Sequence, residues 1–222
     1  MKNSSSYHKL NSDKNFTFNF RIRWLIANLI NNYFILNKTD KQVITKKFVN
    51  SNFRNIIKNF DKKLSPSRML CDIFWNSLPW ASIGKELNHF NIIEVGCGKG
   101  IYGNILHGLT HDFAFKYNGV DIKKHSEWNK FNKDFSFNVD YSDNAFKYLK
   151  DKNLIITQSA IEHFENDITF FQQIANEVNQ SDKPVLQIHL MPSTFCLFTY
   201  LNHGIRQYSL KSISKITKLF NN

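Results

Sequence analysis

An apolar run broken by glycine at every second position restricts this chain more than any other feature. Asn91-Ile92-Ile93-Glu94-Val95-Gly96-Cys97-Gly98-Lys99-Gly100 reads as a buried parallel strand, a sharp turn and the start of a helix. Without a Cβ, the backbone of such a turn can approach a ligand closely. The helix behind it aims free N–H groups and the positive end of its dipole at the same spot. A small-molecule site is expected at this strand-to-helix junction.

The pattern of strand and helix then recurs. Strands are expected at about 91–95, 117–121, 135–139, 154–157 and 184–190, with helices at about 100–107, 143–150 and 167–179. Repeated β–α units of this size predict an α/β fold, a doubly wound parallel sheet with helices on both faces. Upstream, Ile22, Leu25, Ile26, Leu29, Ile30 and Tyr33 recur at helical spacing over 21–37, with Arg21 and Arg23 at the start. Such an amphipathic helix lies on a membrane interface or packs on the domain, and packing is the expectation here. Basic and apolar positions alternate over 38–64 and suggest one or two more helices. Ser65 and Pro66 mark a cap and a new helix start. The apolar stripe Met69, Leu70, Ile73, Phe74, Leu78 ends at Pro79, with Trp75 and Trp80 beside it. The chain therefore divides into a basic, mainly helical extension, 1–64, and a ligand-binding domain, 65–222.

The net charge of +11 is unevenly placed: residues 1–70 hold 14 Lys and Arg against 3 Asp and Glu, and the rest hold 15 of each. A basic extension can meet nucleic acid or an anionic membrane, or serve as a solvated helical lead-in, and the last is expected. Cys71, Cys97 and Cys196 include no CxxC pair, so neither a disulfide framework nor a metal site is suggested, and a reduced, cytoplasmic protein fits. The apolar run Trp24 to Leu36 is interrupted by Asn28, Asn31 and Asn32 and is too short and polar to span a bilayer.

The loop's ligand can be narrowed. Gly98-x-Gly100-x-x-Gly103 matches the dinucleotide fingerprint, but those glycines should begin where the strand ends, at Gly96. Glu94 also argues against a pyrophosphate and for an ammonium-bearing ligand. Glu94 to Gly100 resembles the first motif of class I S-adenosylmethionine-dependent methyltransferases. Asp121 resembles the acidic residue ending their second strand, and Asn153 to Phe164 their fourth-strand motif. The resemblance covers roughly residues 66–206. It implies a Rossmann-like methyltransferase fold with S-adenosylmethionine as cofactor. By the same resemblance, Glu94 lies near the methionine ammonium, and Gly96, Gly98 and Gly100 pass close to the methionine and ribose. Asp121 accepts from the ribose hydroxyls, Asp140 and Tyr141 meet the adenine edge, and Gln158 lines the methionine portion. Asn153 stands where the family often has an acidic residue, which removes a charge that can orient the loop.

Transfer of a methyl group from a sulfonium mainly requires alignment and exclusion of water. For a hydroxyl acceptor, His163 beside Glu162, after the fourth strand, is the first candidate base, and His189 in the fifth strand the second. Glu162 and Arg206 are candidate acceptor contacts, Arg206 through its fork of donors. His107 and His111 read as surface or packing residues. The tail around Arg206 and the lead-in Ser65-Pro66-Ser67-Arg68 resemble methyltransferases of polysaccharide loci, so a small-molecule or sugar acceptor, methylated at oxygen, is the expectation. An RNA methyltransferase using the basic extension is the alternative, although no Asn/Asp-Pro-Pro-aromatic motif is present. A non-catalytic remnant and a nicotinamide-dependent oxidoreductase are further readings. The family's closing hairpin, strands 6 and 7, is not found after Leu190. Either the domain is C-terminally truncated or another element covers the sheet edge; truncation, with a bare edge and poor solubility, is the expectation.

Overall fold

The apolar runs become five strands, of which the two central ones, 90–95 and 154–158, are buried on both faces, where side chains without polar atoms are cheap to place. The computed structural model describes residues 17–34, 39–46, 58, 66–194 and 204–220. The strands are β1 (Phe90–Val95), β2 (Phe115–Asp121), β3 (Phe135–Val139), β4 (Leu154–Gln158) and β5 (Leu186–Leu190). They form one sheet in the order β3-β2-β1-β4-β5, every pair parallel. The order reverses between β1 and β4, and such a switch point opens a crevice at the carboxyl ends of the strands. The expected α/β, doubly wound sheet is therefore the observed one. β2 begins two residues earlier than its pattern suggested, and β5 begins two later.

The helices are α1 (Phe18–Leu29, continued by a π-helical turn Ile30–Phe34), α2 (Pro66–Ser77), α3 (Trp80–Leu87), α4 (Ile101–Leu109), α5 (Phe146–Leu149), α6 (Asp167–Asn179) and α7 (Leu210–Thr217). The two-residue alternation of the strands assigns each side chain to one of two cores. Ile93, Val95, Val120 and Ile155 face α5, α6 and α7, packing on Leu149, Phe170, Ile174 and Ile216. Phe90, Ile92, Tyr117, Leu154, Ile156 and Ile188 face α2, α3 and α4, packing on Trp75, Trp80, Leu87 and Leu106.

Helix α3 has no counterpart in the sequence reading. Pro79 ends the preceding stripe, but it also opens a second helix, whose Trp80, Gly84 and Leu87 are buried at helical spacing. The Trp80 indole donates to the Trp75 carbonyl at 2.8 Å and stacks on its ring at 6.1 Å, fixing the corner between α2 and α3. The expected helix over 143–150 is a 3-10 turn, Ser142–Asn144, followed by the four residues of α5. Of the helices expected over 38–64, residues 39–46 show no regular element. Lys58 is helical, and the rest of that stretch, with the Ser65 cap and the 64/65 boundary, lies outside the described residues.

Helix α1 docks on the C-terminal segment through two buried amides as well as Trp24. Asn32 donates to the Gln207 carbonyl at 2.9 Å and accepts from the Ser209 N–H at 3.0 Å, while Asn28 accepts from the Gln207 N–H at 3.3 Å. Of the stripe expected to pack, Leu25 and Leu29 are half-buried, whereas Ile22, Ile26, Ile30 and Tyr33 are exposed. The 207–209 backbone has donors and acceptors to satisfy, so the polar side of the helix turns inward. Among the described residues no strand follows β5, and a single parallel bridge joins Ser193 to Tyr208.

Candidate functional site

The turn after β1 runs through three glycines in the left-handed region, Gly96 (φ 82°), Gly98 (φ 52°) and Gly100 (φ 78°). Packing explains the first. A Cβ on Gly96 would sit 2.3 Å from the Ala160 Cβ, so the turn and the loop after β4 meet only if a hydrogen stands there. Gly98 differs, since a Cβ there would meet nothing within 4 Å. That glycine presents bare backbone to open space, the condition for close approach of a ligand.

Neighbouring elements hold the turn in place. The Gly98 N–H donates to Asp121 Oδ2 at 2.7 Å, and the Gly98 carbonyl accepts from the Trp128 indole at 2.8 Å. Asp121 Oδ1 accepts from the Lys123 N–H at 3.1 Å. Each carboxylate oxygen takes more than one donor, so Asp121 keeps acceptor capacity at the end of β2.

Glu94 lies in β1 and is buried, with its carboxylate accepting from the Tyr117 hydroxyl. Burial pushes its carboxyl up to about 8; the bond from Tyr117 opposes this and the Asp121 charge adds to it. Gln158, at the end of β4, accepts from the Trp75 indole at 2.5 Å. The Tyr102 hydroxyl in α4 hydrogen-bonds Gln158 and Asp72. Burial raises Asp72, opposed by Tyr102 and Arg68. By strand alternation Glu94, Asp121 and Gln158 all project on the α2–α4 side. The site is thus built from the ends of β1, β2 and β4 under α2, at the switch point.

Gln158 is followed by Ser159, whose positive φ of 46° bends the chain into a short 3-10 turn, Ile161–His163. Backbone strain of this kind clusters at functional sites. Glu162 is buried there, and burial pushes it up to about 7, partly offset by a backbone N–H. His163 is half-buried, with Nε2 4.0 Å from Glu162 Oε1. Cys71 of α2 feels both Asp72 and Glu162, so the lead-in helix reaches this turn as well.

Three expected site residues are otherwise employed. His189 shares its face with Thr157, whose hydroxyl lies 2.9 Å from Nδ1, and its ring meets Phe170 and Phe171 of α6 edge-on. That is the opposite face from Glu94 and Gln158. Burial pulls its imidazole down to about 4. His189 is thus packed between β4 and α6, away from the strand ends that carry Glu94 and Gln158. Arg206 spends its fork on the Phe164 and Glu165 carbonyls, pairs with Asp167 at 3.2 Å and stacks on Trp24 at 4.4 Å. Those bonds tie it to the turn after β4 and to the start of α6.

Asp140 accepts from Asn144 (2.6 Å), Lys147 (3.1 Å), Tyr148 (3.0 Å) and the Tyr141 N–H (2.9 Å). Burial opposes its charge, but these donors outweigh it and hold the carboxyl at about 2. Asp140 caps its own turn, with Tyr141 exposed beside it. Asn153 lies at the opposite end of the sheet from the glycine turn. Its side chain accepts from the Asn91 N–H at 2.8 Å and donates to the His89 carbonyl at 2.7 Å, clamping β4 to β1. The missing charge there has no bearing on the loop. His107 packs on Phe115 and Phe135, and His111 is exposed, as their spacing suggested.

Tyr117, Tyr102 and Asp72 are not among the residues that the sequence singles out. Tyr117 had a signal, because it stands four residues before Asp121 on the same strand face. A groove of about 640 Å³ runs along α4, lined by Lys99, His107, Glu127 and Phe131 among others. None of Glu94, Asp121 or Gln158 lines it, although Lys99 belongs to the glycine turn. Among the described residues no group of His, Cys, Asp and Glu is arranged to hold a metal ion.

No protein-family model and no curated protein matches the chain. Solved structures do resemble it. The plantazolicin methyltransferase BpumL, in complex with a pentazolic desmethylPZN analog and SAH, is 20% identical with a TM-score of 0.47, over 75% of this chain and 62% of that one. The Burkholderia thailandensis 1,6-didemethyltoxoflavin-N1-methyltransferase is 12% identical with a TM-score of 0.31, over 62% and 65%. The [4+2]-cyclase SpnF is 10% identical with a TM-score of 0.35, over 53% and 44%. The chain spans less than two thirds of the length of each of these proteins. All three TM-scores are below 0.5, so the fold assignment rests on this chain's own strand order and register.

Proposed function

We propose that this chain is a class I S-adenosylmethionine-dependent methyltransferase acting on a small-molecule or sugar acceptor, at oxygen. One observation carries the reading: Glu94, Asp121 and Gln158 converge on one face beside a turn whose Gly98 fronts open space. Glu94 is a buried carboxyl with no basic residue among the causes of its shift, so an ammonium group on the ligand is the partner that would ionise it. Asp121 would take the ribose hydroxyls, and Gln158, oriented by Trp75 and Tyr102, would line the methionine portion. The cofactor supplies a methyl group already activated on a sulfonium. His163, with Glu162 beside it, would take the proton that an acceptor hydroxyl gives up. The carboxyls Asp72 and Glu162 near this turn disfavour a phosphate-rich acceptor by like-charge repulsion, which argues against RNA.

The test is calorimetric titration with S-adenosylmethionine and with NAD, followed by transfer of labelled methyl to small glycans and to RNA. Binding of the first ligand only, with label in the glycan pool, is the expected result. Binding of NAD instead, or label in RNA alone, would overturn the reading.

A further inference from the structure

Helix α1 is built inside out. Asn28 and Asn32 are 4% and 3% exposed, whereas Ile22, Ile26, Ile30 and Tyr33 are 40%, 52%, 50% and 49% exposed. Spacing of four and three residues puts these last four on one stripe. The asparagines face inward to bond the backbone at Gln207 and Ser209, with Trp24, Leu25 and Leu29 half-buried, and the stripe of four large apolar side chains is left outward. A helix that packs on its own domain does the reverse, and a contiguous exposed apolar stripe marks an interaction surface.

The charge of the N-terminal sequence narrows its occupant. Residues 1–70 carry 14 Lys and Arg against 3 Asp and Glu. Exposed Arg23 stands at the edge of the stripe, its guanidinium 5.8 Å from the Phe20 ring. Ile44, in the segment that follows, is 76% exposed. A second copy of this chain would bring the same excess of positive charge against it and be repelled. Nucleic acid would satisfy the charge and leave the isoleucines in water. An anionic bilayer satisfies both, with the stripe at the boundary of headgroups and acyl chains and the cations on lipid phosphates. No described helix is long and apolar enough to cross a membrane, which fits a helix lying in the surface plane.

We infer that the outward face of α1 docks this protein on an anionic lipid surface. The inference is independent of methyl transfer. Its test is co-sedimentation of the full chain with vesicles of phosphatidylcholine alone and of phosphatidylcholine mixed with phosphatidylglycerol. Binding is expected on the mixed vesicles only, weakening as salt is raised. The variant Ile26→Ser with Ile30→Ser changes two exposed side chains and should keep the melting transition while losing roughly tenfold or more in vesicle affinity. Arg23→Glu should weaken binding without abolishing it. Equal binding to both vesicle types, or a double variant that binds like the parent, overturns the inference. So does a dimer that the double variant abolishes in the absence of any vesicle binding, because a second copy would then be the occupant. Retention on RNA without vesicle binding overturns it equally.

Discussion

Glu94 is the residue where position and protonation state must be read together. Its place in β1 was legible from the motif, but its carboxyl is pushed up to about 8 by burial, against the bond from Tyr117 and with the Asp121 charge. An ammonium beside it would pull that value down, so ligand binding near neutral pH should release a proton. Calorimetry of S-adenosylmethionine binding in buffers of different ionisation enthalpy reads this directly. Affinity should rise as pH approaches about 8 and then level off. Glu94→Gln should abolish the proton release and weaken binding roughly tenfold or more, the worth of at least one pKa unit. The same residue acts on stability. An acid raised on folding contributes stability below its unfolded value and loses it as pH rises through the folded one. Glu94 and Glu162, raised to about 8 and about 7, should therefore lower stability from mildly acidic to neutral pH. His189, held down at about 4, acts oppositely, its stabilisation being lost as pH falls from the ordinary histidine range through that value. Melting temperature should fall less steeply with rising pH, from mildly acidic values up to about 8, in Glu94→Gln than in the parent.

At the level of elements, α2 completes the crevice that the strands begin. Trp75 donates to Gln158 across 83 residues of chain, and Trp80 fixes Trp75 from α3. Trp75→Phe keeps the ring stacking but leaves the buried Gln158 oxygen without this donor, at a cost of about 1–3 kcal/mol. A lower urea midpoint, with S-adenosylmethionine affinity falling more than the stability loss explains, is expected. Unchanged affinity would separate α2 from the site. Much of the sheet was legible, because buried parallel strands are short, apolar and bounded by glycine, and the alternating glycines located the turn. His189 and Arg206 stand near strand ends in sequence, but a strand side chain's use depends on its face, and a loop side chain's on contacts far along the chain. Strand parity alone pairs His189 with Thr157 on the α6 side. Nothing local connects Arg206 to Trp24 or to the carbonyls at 164 and 165. Helix α3 was missed because proline was taken as an end, where it is also a favoured beginning.

Across the whole molecule, the chain's two ends are clasped together. Asn32 bridges to Gln207 and Ser209, the Lys215 ammonium reaches Asn31, and the Thr217 hydroxyl donates to Asp40 at 3.0 Å. Asn32→Ala removes a donor from the buried Gln207 carbonyl and should cost about 1–3 kcal/mol. Hydrogen exchange should quicken across residues 204–209 while β1 and β4 keep their protection; unchanged exchange there would mean that the clasp is not held by these amides. Arg206 gives the clasp a mechanical aspect. Its guanidinium is stacked on Trp24, fastened to two carbonyls directly after His163, and paired with Asp167 at the first turn of α6. It rivets the N-terminal helix to the turn carrying Glu162 and His163 by contacts that bypass the sheet.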